Sequence, residues 1–307
     1  MIAPVAPLPT TAAEPRPSLV RTWVLAVRPA TLTAGVVPVL VGTALAARDG
    51  VAHLGAAAAA LLGAVLIQIG TNLFNDYEDF RRGADTAERL GPARVTQRGW
   101  LTPKQVGAAS AVAFALAIAA GSYLVARAGW PLVALGLTSV ICGLAYTGGP
   151  FPLAYHGLGD LFVMIFFGIA AVCGTYYVQA FTVPTPVALA SVGIGALATC
   201  ILVVNNLRDR ETDARANKRT LAVRLGARGA RIEYVLMVAL AFAVPVALHL
   251  MPGGTWGSLA PLAALPLAVR EIRAIHAKDG AALNPHLGGA AQLGLLYGLL
   301  MAVGTLF

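Results

Sequence analysis

Apolar runs of about 20 residues, the length a helix needs to cross about 30 Å of hydrocarbon, follow one another along nearly the whole chain with short polar segments between them. They predict spans near residues 29–47, 51–74, 105–126, 129–147, 158–181, 186–206, 234–251, 255–269 and 286–307. The expected fold is an all-α integral membrane protein, a bundle of about nine transmembrane helices whose central cavity opens at the cytoplasmic side. Pro131 and Pro152 bracket the fourth run, and Pro261 and Pro266 interrupt the eighth, so these two depart most from an unbroken span. Residues 1–20 are rich in Pro and Ala and lack both the basic start and the apolar core of a secretory signal. They are expected to be a disordered tail, leaving 21–307 as one transmembrane domain.

Composition agrees with this pattern. Hydrophobic residues make up 58% of the 307 and charged residues 12%, against about 25% charged in an ordinary soluble domain. A net charge of +8 raises nucleic-acid binding as an alternative. The basic residues, however, sit in loops between apolar helices, where they set topology. With the N-terminus inside, every Lys and Arg except Arg48 and Arg127 falls on the inner side. A missed or invented helix would send the later basic loops outward, so the asymmetry supports both the count and the direction. It places the N-terminus and the polar loops in the cytoplasm and the protein in the cell inner membrane. The bilayer is then a partner and nucleic acid is not. Cys142, Cys173 and Cys200 all fall in spans with no CxxC or Cys/His spacing and read as core thiols.

The chemistry lies in an internal repeat, residues 72–85 and 205–213. The second span ends in Asn72-Leu-Phe-Asn75-Asp76-Tyr-Glu-Asp79 and the sixth in Asn205-Asn206-Leu-Arg208-Asp209-Arg-Glu-Thr-Asp213. Asn72 to Asn205 and Asp76 to Asp209 share one offset of 133 residues. These spans are an even number of crossings apart, so both acidic ends meet the same membrane face. At about 100° per residue, Asn72, Asp76 and Asp79 fall within about 60° of one another, as do Asn206, Asp209 and Asp213. Each set lines one stripe, and the two stripes can enclose one cavity.

Clustered carboxylates repel, so they call for a cation, and oxygen-only ligands favour Mg²⁺ or Ca²⁺ over zinc. Mg²⁺ commonly shares its coordination between one or two carboxylates and substrate phosphate. Arg81, Arg82, Arg94, Arg208, Lys218 and Arg219 stand ready for the remaining phosphate charge. An acidic metal site beside basic loops, at the lip of an apolar bundle, suits a polyprenyl diphosphate. A cation transporter is the other reading, but such sites usually lie at mid-membrane on broken helices, whereas these acids lie at helix ends.

At these positions the chain resembles the UbiA-type superfamily of membrane aromatic prenyltransferases, and most nearly its menaquinone branch. The segments that carry the resemblance are Arg28-Pro29-Ala-Thr31-Leu32, the acidic run continuing to Asp85, Gly91-Pro92-Ala-Arg94, Tyr146-Thr147, Gly157-Leu158-Gly159-Asp160, the second acidic run through Lys218-Arg219 to Gly226, and Leu283-Asn284-Pro285. The loop after Tyr146 lacks the basic residues usual in 4-hydroxybenzoate enzymes. The resemblance implies transfer of a polyprenyl chain to an aromatic acceptor, 1,4-dihydroxy-2-naphthoate, with loss of diphosphate and carbon dioxide. It implies Mg²⁺ held by Asp76, Asp79, Asp209 and Asp213, with Asn72, Asn75, Asn205 and Asn206 orienting them and Arg94, Arg208, Lys218 and Arg219 on the phosphates. Tyr146 is expected to stabilise the allylic cation or bind phosphate, and Asp160 to assist acceptor placement or proton removal.

Overall fold

The computed structural model describes residues 17–83, 90–91 and 94–307. All regular structure among the described residues is helical: α1 (Leu19–Val27), α2 (Pro29–Arg48), α3 (Leu54–Arg81), α4 (Pro103–Ala128), α5 (Trp130–Ala145), α6 (Gly159–Val163), α7 (Ala171–Ala180), α8 (Thr185–Arg215), α9 (Leu221–Leu250), α10 (Leu265–Ala277) and α11 (Asn284–Gly304). One wide π turn over Met164–Ala170 joins α6 to α7 in a single span. Seven helices among these residues are long and apolar enough to cross a membrane.

These seven match all of the expected nine but the fourth and the eighth. The fourth is the shorter apolar helix α5, and 255–269 is no continuous span. Trp256–Ala264 winds as a 3₁₀ helix and α10 restarts beyond it. Pro261 and Pro266 explain the break, because each lacks an N–H and Pro266 fits best in a first turn. α1 is an addition. Its short amphipathic run begins at Leu19, inside the segment expected to be tail, and it is too short to register as a span.

Two helices continue well past their apolar stretches. α3 has 28 residues and α8 has 31, about 42 and 46 Å at about 1.5 Å per residue, against about 30 Å of hydrocarbon. The acids expected at helix ends therefore ride on the last turns of unbroken helices, which fixes their stripes. Thr102 and Gln105 cap α4 reciprocally, with Pro103 in its first turn, so α4 folds back along α3. Thr220 caps α9, which folds back along α8. Each acidic helix is thus braced by its follower. Gly226 interrupts α9 at φ 72°, an angle that glycine adopts without steric cost.

The core is built on α8, packed by α9, α11 and the π turn, while α2 lies against α7 and α11. At the π turn the backbones nearly touch. A Cβ on Gly168 would stand 2.6 Å from the Ser191 carbonyl oxygen and 2.7 Å from Gly195 Cα. Small residues allow such approaches between membrane helices. Gly168→Val is expected to cost about 3 kcal/mol by overpacking, read as a lower melting temperature in detergent. Unchanged melting would mean that the span can slide away from α8.

Candidate active site

The last turns of α3 bury Asn72, Asp76 and Asp79, on the stripe expected from their spacing, and Asn75 beside them. Asn72 ties α3 to the joint between α1 and α2. Its Nδ2 donates to the Val27 carbonyl at 2.8 Å and to Thr31 Oγ1 at 2.9 Å, and its Oδ1 accepts from Gln68 at 3.3 Å. Asn75 Oδ1 accepts from Thr147 Oγ1 at 2.7 Å, which anchors the loop after α5. Asp76 is 1% exposed and accepts from the Thr96 hydroxyl. Asp79 accepts from Arg94 Nη2 at 3.0 Å. Asp85 lies outside the described residues.

The second acidic helix has a matching arrangement around Arg208. Its Nε and Nη2 donate to the two oxygens of Asp209 at 2.8 and 2.6 Å, a bidentate fork. Nη2 also reaches Asn205 Oδ1 at 2.7 Å, and Nη1 reaches Asn284 Oδ1 on α11 at 3.1 Å. Asn284 in turn donates to the Leu90 carbonyl at 2.8 Å, joining α8, α11 and the loop after α3. One turn on, Lys218 Nζ stands 3.5 Å from Asp213 Oδ1. Asp213 Oδ2 is buried with no hydrogen-bond partner among the described residues.

One cavity of about 880 Å³ joins the two sets. Asn72, Asn75, Asp76, Asp79 and Arg94 line it from one side. Asn205, Asn206, Arg208 and Lys218 line it from the other, with Tyr146 between. Beyond them the wall turns apolar, with Phe162, Phe166 and Phe167 on one span and Ala60, Gly63 and Ile67 on α3. Asp209 and Asp213 reach this wall through the Arg208 and Lys218 side chains that hold them. Arg219 is exposed and off the wall. Asp160 is also off it, 6% exposed, with neither carboxylate oxygen hydrogen-bonded among the described residues.

A model described as the UbiA prenyltransferase family matches residues 35–296, both acidic helices included. The chain belongs to that family. It is 37% identical over 303 residues to 1,4-dihydroxy-2-naphthoate octaprenyltransferase of Escherichia coli K12, covering 95% of this chain and 97% of that one. It is 38% identical over 286 residues to the enzyme of that name from Mycobacterium tuberculosis, covering 93% and 97%. Its fold matches a UbiA homologue from Archaeoglobus fulgidus bound to DMAPP and Mg²⁺, with a TM-score of 0.63, 16% identity, and 92% and 99% coverage.

In this UbiA-family prenyltransferase no three acidic, His or Cys side chains among the described residues stand close enough to hold an ion on their own. The donor set still fits Mg²⁺. It offers only oxygens, Asp213 Oδ2 is an orphaned buried acceptor, and Mg²⁺ takes much of its coordination from phosphate and water. Burial works against the Lys218 charge, yet the Asp213 and Asp79 carboxylates outweigh it and hold its pKa above the ordinary lysine value. Lys218 therefore stays charged beside the acids. The Tyr146 phenol faces the cavity between the two sets. Tyr146 is a neutral donor at physiological pH. Sequence reasoning missed Thr96, Thr147 and Asn284 as partners of the acidic stripes, since each pairing joins distant parts of the chain.

Proposed function

We propose that this prenyltransferase moves a polyprenyl chain from its diphosphate to 1,4-dihydroxy-2-naphthoate, giving a demethylmenaquinol, the reduced form of demethylmenaquinone, at a site facing the cytoplasm. The observation that carries the reading is the single cavity shared by both acidic helices, polar and charged at one end and apolar beyond. That division suits a diphosphate head with an isoprenoid tail. The names of the two bacterial relatives, matched over nearly their full length, support the naphthoate acceptor, and the basic-loop asymmetry supports the cytoplasmic side.

The allylic carbon–oxygen bond breaks and its electron pair leaves with diphosphate. A ring carbon supplies the pair for the new carbon–carbon bond, and the carboxyl bond returns its pair to the ring as carbon dioxide departs. Asp76, Asp79, Asp209 and Asp213 would hold Mg²⁺, which when bound neutralises charge on the leaving diphosphate. The archaeal homologue of the same fold, bound to DMAPP and Mg²⁺, supports a metal and a prenyl diphosphate as the ligands of such a site. Arg94, Arg208 and Lys218, each already beside an acid of the two stripes, hold the phosphate oxygens of the entering head group, with Arg219 as a further cation for it. Tyr146 stabilises the developing cation, and Asp160 assists acceptor placement. The apolar wall excludes water that would otherwise capture the cation.

Membranes containing the protein, supplied with Mg²⁺, a labelled polyprenyl diphosphate and carboxyl-labelled naphthoate, are expected to yield a labelled lipid quinol and one carbon dioxide per chain transferred. Absence of product across chain lengths would overturn the reading. Product from 4-hydroxybenzoate alone would reassign the acceptor.

A further inference from the structure

Ionisable groups outside the acidic stripes gather where α10 meets the start of α11. Glu271 on α10 is 1% exposed. Its Oε1 accepts from Arg270 Nε and Nη2 at 3.0 and 2.8 Å, and its Oε2 accepts from His286 Nδ1 on α11 at 2.7 Å. Across the ring, His286 Nε2 stands 2.8 Å from Lys278 Nζ. An ammonium group only donates, so Nε2 accepts and the ring proton sits on Nδ1, toward Glu271. α11 also presses its backbone onto the carboxylate, since a Cβ on Gly289 would stand 2.4 Å from Glu271 Oε2. Burying such a chain carries a desolvation cost that apolar side chains would not. What it supplies is direction. With both ring nitrogens gripped, the first turn of α11 is fixed in rotation as well as in position, although Leu283 at its N-cap has no side-chain acceptor to hold it.

The same turn carries Leu287, on the cavity wall, and Asn284, whose Oδ1 accepts from Arg208 Nη1 at 3.1 Å. A guanidinium has five N–H donors. In Arg208 the Nε donor and one on Nη2 go to Asp209, the other on Nη2 goes to Asn205, and one on Nη1 goes to Asn284. The remaining donor, also on Nη1, has no acceptor among the described residues, and Arg208 lines the cavity. That donor is the one available to a phosphate oxygen. Asn284 shares its nitrogen, and therefore braces the end of the guanidinium that meets the ligand.

We infer that His286, gripped by Glu271, is a positioning residue for diphosphate binding, holding Asn284 where it braces Arg208 Nη1. The inference rests on the phosphate role of Arg208 proposed above. The path is short and continuous. Glu271 holds His286, the first turn of α11 carries His286 and Asn284 together, Asn284 holds Arg208, and Arg208 forks onto Asp209. A buried carboxylate outside the cavity thus sets the aim of a cation inside it.

The test is a double-mutant cycle on binding. Inorganic diphosphate with Mg²⁺ is titrated calorimetrically into the purified protein in detergent, for wild type, Asn284→Ala, His286→Ala and the double variant. Asn284→Ala is expected to weaken diphosphate binding about 10-fold, the low end for a charge-assisted hydrogen bond, and His286→Ala by a similar factor. The double variant should bind no more weakly than Asn284→Ala alone, because His286 acts through Asn284. His286→Asn, whose amide N–H can take the place of Nδ1, should restore most of the affinity. Factors that multiply in the double variant, no rescue by His286→Asn, or a lowered melting temperature in His286→Ala with unchanged affinity would each overturn the inference. If His286→Ala does not fold, Glu271→Gln replaces it in the cycle, since an amide loosens the hold on the imidazole without stranding a charge, and the same comparison with Asn284→Ala decides. Arg208→Lys tests the parent reading separately. If it binds diphosphate as tightly as wild type, the phosphate role of Arg208 falls and this inference with it, whereas weakened binding there beside an additive cycle removes this inference alone.

Discussion

Asp76→Ala and Asp209→Ala are each expected to lower turnover by at least about 10³-fold, or ~4 kcal/mol on the barrier, while the protein remains membrane-inserted. The two differ in what else they disturb. Asp76 accepts from the Thr96 hydroxyl, and that hydroxyl also stands 3.4 Å from the Asp76 main-chain carbonyl. Truncating Asp76 therefore removes about one hydrogen bond, worth about 1 kcal/mol, and strands no cation. Its loss of activity reports on the reaction. Asp209→Ala instead strips the buried Arg208 of its carboxylate, so Asp209→Asn, which keeps an acceptor oxygen, is the better companion. The measurement is single-turnover product formation as Mg²⁺ is varied, with melting in detergent as the control for folding. Near-normal activity in either variant would remove that residue from the metal-diphosphate site.

What could be read from the chain and what could not divides along physical lines. Apolar runs and basic loops reported the preference for lipid, so α2, α4 and the span Gly159–Ala180 stood out within a few residues. Hydropathy does not measure helix formation, however, and it ended the second and sixth spans where polar residues began. Asn72 to Arg81 and Asn205 to Arg215 remain helical, because the polar groups of one helix are satisfied by the other elements around the cavity. Repetition at one offset revealed that Asp76 and Asp209 belong to one device. It could not reveal that Thr96 faces Asp76, that Arg94 takes Asp79 or that Asn284 reaches Arg208, because those contacts depend on how distant segments pack. The π turn was also hidden, since a single wide turn at Gly168 barely alters the periodicity. Arg28 was visible within a familiar segment, but its left-handed angle and its place on the cavity wall appear only in three dimensions.

Arg208→Ala is expected to be the most destabilising change at the site. The Arg208 side chain is 1% exposed and holds both oxygens of Asp209, Asn205 on its own helix and Asn284 on α11. Removing one partner of a buried ion pair leaves the other charge uncompensated, at about 3–5 kcal/mol. Removing both avoids that penalty. The double variant Arg208→Ala/Asp209→Ala should therefore melt above Arg208→Ala, whereas its turnover should be as low as that of either single change. Melting and turnover part company because the pair's stability term is mutual, while in the reaction each partner has its own work: the carboxylate on the metal, the guanidinium on the phosphate. Arg208→Lys tests the geometry, since an ammonium keeps the charge but cannot fork onto Asp209 while reaching two amides. It should keep most of the stability and lose most of the activity. If the two single substitutions instead add in melting, the pair is not coupled, and Arg208 does not hold Asp209 in place for the metal.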